Sequence, residues 1–189
     1  MERSPRARMV YSAAQLVRAR GPAGTGVREI IEHAGAPRGS FQHYFPGGKD
    51  QLVGEALLWA GDFAAAWAAR YPETTSNPTP AGLFAHMVKQ WKDEFTKRGF
   101  ERGCPVMASV ADLGGTDAPL TSQIRTALDR WEQAVTDELV RMDIAPSRAR
   151  RLAVLMISTL EGAIMFARLR QDLTPLTTAV STLSPALVG

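Results

Sequence analysis

One cysteine, Cys104, stands among the 189 residues, so no internal disulfide can form and no cysteine-rich zinc site can be built. That scarcity fits a reducing cytosol. The three histidines, His33, His43 and His86, have no metal-ligand spacing, so neither a metal nor a cofactor is expected. Long hydrophobic runs are missing too. The longest, 153–167, contains Glu161 and falls short of the roughly 20 apolar residues that a bilayer demands; it reads as a buried helix. No apolar stretch follows the charged start, Met1 to Arg8, and no secretory leader is expected. Also absent are a Gly-x-Ser-x-Gly elbow, a Gly-x-x-x-x-Gly-Lys-Ser/Thr phosphate loop and a His-Glu-x-x-His pair. Gly24-Thr25-Gly26 lacks a third glycine and reads as a connector. No catalytic residue is proposed, and an enzyme is the least favoured class.

No run of alternating or β-branched residues bounded by turn formers makes a strand, whereas nearly every segment repeats its apolar residues at 3–4 spacing. The fold is therefore expected to be all-α. Hydrophobic residues make up 45% and charged residues 22%, which suits a globular chain able to bury a core. At this length it is expected to fold as one compact unit, either with one core or with a small head on a larger body. The net charge of +3 is unevenly placed: residues 1–50 hold eight basic and four acidic side chains, an excess of +4 that leaves −1 for the rest. Such a basic end fits a polyanionic partner.

Ser4 followed by Pro5 opens a first helix that Gly21-Pro22 ends, because serine caps a helix start and proline suits its first position. Val27, Ile30, Ile31 and Ala34 line one face of a short second helix closed by Gly35, a residue at ease in the left-handed conformation. Ala36-Pro37 opens a third helix, with Phe41 and Phe45 inward and Pro46-Gly47-Gly48 behind it. Further helices are expected at about 49–70, 81–100, 105–113, 118–142, 147–171 and 175–187, some nine in all.

Two short helices joined by a tight glycine turn and backed by a third have the layout of a helix-turn-helix DNA reader spanning Ser4 to Lys49. With both phenylalanines inward, Arg38, Gly39, Ser40, Gln42, His43 and Tyr44 face outward. Arginine can bond guanine bidentately and glutamine adenine, whereas serine and tyrosine hydroxyls suit phosphates. Gly39 lets the backbone approach the duplex. Thr25 and Arg28 at the start of the second helix, and Lys49 at the start of the fourth, are placed to grip phosphate.

The run from Gly26 to Leu52 resembles the TetR/AcrR DNA-binding domain. Pro46-Gly47-Gly48-Lys49, Gly103-Cys104-Pro105 and Leu160-Glu161-Gly162-Ala163 resemble the LmrA/YxaF branch of that family. The resemblance implies a homodimeric, all-helical, cytoplasmic repressor that leaves its DNA operator when a small molecule enters the C-terminal domain. The family often has tyrosine where Gln42 stands and serine or threonine where Gly26 stands. The domain division expected is residues 1–50 for DNA binding and 51–189 for effector binding and dimerisation.

In the body, Leu152 to Ile157 cover a whole helical circumference, so one side needs a second cover. The helices at about 147–171 and 175–187 are expected to pair with their copies in a homodimer; a buried monomeric core is the alternative. Trp59, Phe63, Phe84, Met87, Trp91, Cys104, Met107, Trp131, Met156, Glu161 and Met165 are the candidate effector residues, since drug-sized pockets are mostly apolar and aromatic with a few polar handles. Plain core is the other reading of each. A protein-binding regulator without DNA binding also remains open.

Overall fold

The computed structural model describes residues 4–37, 39–112 and 120–187. Among these residues the elements are α1 (Pro5–Arg20), α2 (Val27–His33), α3 (Ser40–Tyr44), α4 (Gly48–Ala69), a 3-10 turn (Tyr71–Thr74), α5 (Pro80–Arg98), α6 (Pro105–Asp112), α7 (Thr121–Arg141), α8 (Pro146–Arg170) and α9 (Thr174–Leu187), with no strand. The all-helical expectation is met. Ser4 caps α1 by accepting the Ala7 N–H at 3.3 Å, and Thr79 caps α5 by accepting that of Gly82 at 3.1 Å. Two starts differ: α7 begins at Thr121 and not near 118, which lies outside the described residues, and α3 begins at Ser40, not near Ala36-Pro37. The Pro37 carbonyl accepts the Ser40 N–H in a tight turn, so Pro37 precedes the helix.

Contacts divide the chain into two compact units: Met1–Asp62 with Cys104–Leu128, and Phe63–Gly103 with Asp129–Gly189. The first unit is larger than a head ending at residue 50 because α6 packs along α1. Asp112, at the end of α6, accepts the Ala23 N–H at 2.5 Å. Gly21, at φ +70°, sits so close that a Cβ there would lie 2.9 Å from the Asp112 carboxylate. The core of this unit joins Met9, Val10, Ala13 and Ala14 of α1, Ile30 and Ala34, Phe45, and Leu52 and Ala56 of α4. Burying each large side chain of that set contributes about 1.5–3 kcal/mol.

In the second unit α5 and α8 both pack on α9 and meet each other. Leu152, Met156, Leu160 and Ile164 turn inward from α8. On its other face Val154, Leu155, Met165, Phe166 and Leu169 are exposed, Leu169 to 81%. By length and composition α8 could cross a bilayer, yet half of its apolar stretch is buried inside the protein, which suits a core helix with one uncovered side.

The join between the end of α4 and α5 is held by reciprocal bonds. Trp67 Nε1 donates to the His86 carbonyl at 3.2 Å, His86 Nε2 donates to the Trp67 carbonyl at 3.1 Å, and the two rings stack 4.8 Å apart. Burial lowers the His86 pKa below the ordinary 6.5, and its bond to Trp67 opposes that shift without cancelling it. A lowered histidine pKa means that the unfolded chain takes up the proton first. The contribution of His86 is therefore complete above about pH 6.5 and is lost as the pH falls through the depressed value. His86→Gln should show a smaller loss of melting temperature between pH 7.5 and 5.5 than wild type; an equal loss would exclude this role.

Candidate nucleic-acid interface

The presentation of α3 begins with the end of α2. Gly35 adopts φ +57°, and Arg8 of α1 donates to the Ala34 carbonyl at 2.9 Å and the Gly35 carbonyl at 3.2 Å. A cation is thus placed where the helix dipole is negative and carbonyls lack partners. Nothing local in the sequence marks Arg8 for this task, because its partners lie 26 and 27 residues away.

Five residues are too few for a helix to persist by itself, so α3 depends on its anchors. Phe45 is completely buried in the head core, and Phe41 packs against the same cluster with the two rings 5.8 Å apart. This is the inward pair read from the sequence. On the other side Gly39, Gln42 and His43 are exposed. Gln42 offers the paired donor and acceptor that match adenine in the major groove. His43 stands edge-on to Tyr44, their rings 5.1 Å apart, and Tyr44 is half-buried against the core. Lys49, half-buried, lies in the first turn of α4, where backbone amides and the dipole favour an anion. Arg28 is 81% exposed and pairs with Glu32 one turn on, at 3.0 Å; such an exposed pair is weak and yields readily to a phosphate.

Two expected contacts change. Thr25 is not available to phosphate, because its side chain is completely buried and its hydroxyl donates to the Gly21 carbonyl at 2.8 Å. It braces the turn between α1 and α2 instead. The Ser40 hydroxyl donates to the Pro37 carbonyl at 2.7 Å, and a hydroxyl has a single proton. As placed, it can accept from a base amino group but cannot donate to phosphate. Arg38 lies outside the described residues.

The candidate effector residues are divided between the two units. Phe84, Met87, Trp91, Trp131, Met156 and Glu161 are all buried in the second unit. Phe63 is 47% and Met165 63% exposed, so neither lines a closed interior there. Met165 instead borders a shallow open hollow of about 370 Å³ with Phe100, Glu101, Arg168, Leu169 and Gln171. Trp59, Cys104 and Met107 belong to the first unit; Trp59 meets Tyr11 edge-on at 5.5 Å and packs on the head core. Periodicity marked these residues as apolar-facing without saying which core each would join. Among the described residues no cluster of His, Cys, Asp and Glu could hold a metal.

Comparison with known proteins bears on this geometry. Residues 11–56 match the bacterial regulatory proteins of the tetR family, and residues 80–182 match the transcriptional regulator LmrA/YxaF-like C-terminal domain. An uncharacterized HTH-type transcriptional regulator of Mycobacterium tuberculosis (strain H37Rv) is 40% identical over 179 residues, covering 91% of this chain and 88% of that protein. The HTH-type transcriptional regulator LmrA of Bacillus subtilis is 28% identical over 171 residues, 90% of each. Among solved structures, a TetR transcriptional regulator from Legionella pneumophila superposes with a TM-score of 0.83 at 16% identity, over 99% of this chain and 98% of that one. The regulatory protein TetR from Rhodobacter sphaeroides gives 0.80 at 23% identity, over 96% and 98%. At those identities the structural likeness speaks for the fold.

Proposed function

The chain belongs to the TetR family of bacterial transcriptional regulators, with an LmrA/YxaF-like C-terminal domain, and we propose that it is a cytoplasmic repressor released from a near-palindromic operator by a small apolar or aromatic effector. Regulators of this kind are not enzymes. The observation that carries the DNA-reading part is the two-sided α3, with Phe45 completely buried and Gln42 and His43 exposed. Arg38, Gln42 and His43 read base edges, Gly39 lets the backbone approach the duplex, and Arg28, Tyr44 and Lys49 hold the DNA backbone.

Two copies of the chain, joined through the exposed apolar face of α8 together with α9, would set their recognition helices about 34 Å apart, one turn of DNA. An effector taken up among Phe84, Met87, Trp91, Trp131 and Met156, with Glu161 as polar handle, would favour a spacing that no longer fits. Methionine and aromatic side chains adapt to flat or bulky guests. Melting the protein against a panel of aromatic compounds and antibiotics tests this; an effector raises the melting temperature and weakens DNA binding together.

The division of labour at the head has its own test. Arg38→Ala should relax base preference at a cost of about 1–3 kcal/mol, whereas Lys49→Ala should weaken every sequence alike and lower the salt slope by about one. Binding of selected and shuffled duplexes across a salt series measures both. The opposite pattern would reverse the roles of the two cations.

A further inference from the structure

Resting on DNA reading by the head, we propose that Gln51 and Glu55, one turn apart on α4, are positioning residues for the recognition helix, and that Gly47 is the opening through which they act. The start of α3 offers little control, since Gly39 caps it without a side-chain bond. Its other end is tied down from outside. Gly47 N–H donates to Gln51 Oε1 at 2.9 Å, and Gln51 Nε2 donates to Glu55 Oε1 at 3.1 Å. Arg6 of α1 completes the chain of bonds, with Nη2 2.8 Å from Glu55 Oε1 and 2.6 Å from Oε2. The same guanidinium lies over the ring of Phe45, 5.2 Å from its centroid.

Four bonded groups therefore run from the first turn of α1, through Glu55 and Gln51 on α4, to the turn that follows α3. Gly48 needs glycine for its φ of +73°, but Gly47 does not. Gly47 is small for another reason: a Cβ there would lie 3.1 Å from both Cβ and Oε1 of Gln51, pushing the amide off its acceptor position. Glu55 and Arg6 remain partly solvated, their side chains 28% and 45% exposed, so the Coulomb attraction of the pair is modest. Direction is what the network supplies. A recognition helix whose axis tilts loses bidentate base contacts before it loses phosphate contacts, because the former tolerate less misalignment.

The test starts from the duplex that wild type selects out of a random-sequence pool, with a shuffled duplex as control. Gln51→Ala and Glu55→Ala are each expected to bind the selected duplex about threefold to tenfold more weakly, the equivalent of one modest hydrogen bond. Binding to the shuffled duplex and its salt slope should not change, because no phosphate contact is lost. Arg6→Ala should add little once Glu55 is alanine, since the two act together. Melting curves confirm that each variant is folded, and Gln51→Ala, the milder change, carries the test if Glu55→Ala is not. Equal weakening on both duplexes, no weakening at all, or tighter shuffled binding with a steeper slope, as from an Arg6 released onto phosphate, would each overturn the proposal. A wild type that selects no sequence would instead overturn the DNA-reading assignment on which it stands.

Discussion

Phe45→Ala is expected to abolish DNA retardation at 37 °C, the temperature at which the retardation assay should be run, and to lower the melting temperature by roughly 10 °C or more. The side chain is completely buried, and truncating such a phenylalanine costs about 3–5 kcal/mol in transfer and cavity terms. That is a large share of the 5–15 kcal/mol by which folded domains are commonly stable. Position aggravates the loss. Phe45 is the C-terminal anchor of a five-residue helix that has no length to sustain itself, and it is also the surface on which Arg6 rests. Phe41→Ala, at a half-buried site, should cost distinctly less. Gln42→Ala should leave stability within about 0.5 kcal/mol, as exposed substitutions do, while altering which duplexes are selected. A Phe45→Ala protein that melts close to wild type and still selects its duplex would remove the core assignment of this residue.

Phe166→Glu is expected to leave the chain folded and to separate the copies of the proposed dimer, weakening operator binding about a hundredfold or more as a second head stops contributing. Phe166 is 55% exposed, beside Leu155 at 44%, Met165 at 63% and Leu169 at 81%, so within one chain the substitution removes little buried area. Arg170 already lies over the Phe166 ring, 5.4 Å from its centroid, and gives a glutamate at 166 an oppositely charged neighbour one turn away. Between copies the balance differs. In a two-fold interface each substitution occurs twice, and the face that should meet its own copy would bring two carboxylates into an apolar contact. Sedimentation equilibrium reads the mass and anisotropy the affinity. A dimer mass that survives the substitution, with operator binding unchanged, would place the interface elsewhere.

These two residues also show how far the sequence alone reaches. Phe45 was legible because a phenylalanine pair four residues apart in a short helix leaves only one face for the core. The exposed side of α8 was legible as an imbalance: apolar residues around a whole circumference cannot all be covered by one neighbouring helix. The aromatic and thioether residues of the body were less so. Trp59 and Phe84 have the same kind of helical spacing, yet one packs on the head and the other is buried in the second unit.

Thr25 marks the limit from the other side. As a residue type it suits a phosphate as well as a backbone carbonyl, and only the fold turned its hydroxyl onto Gly21. The same holds for Arg6, Gln51 and Glu55, whose partnership joins residues 49 apart in the chain. Local physics, meaning helix period, capping residues and glycine or proline punctuation, acts over a few residues and so determined the all-helical class, the order of the helices and which face of α3 turns inward. Tertiary packing decided which polar side chains are already committed to carbonyls and carboxylates, and hence which remain for DNA. A hydrogen bond depends on tenths of an ångström between segments that sequence spacing alone does not bring together.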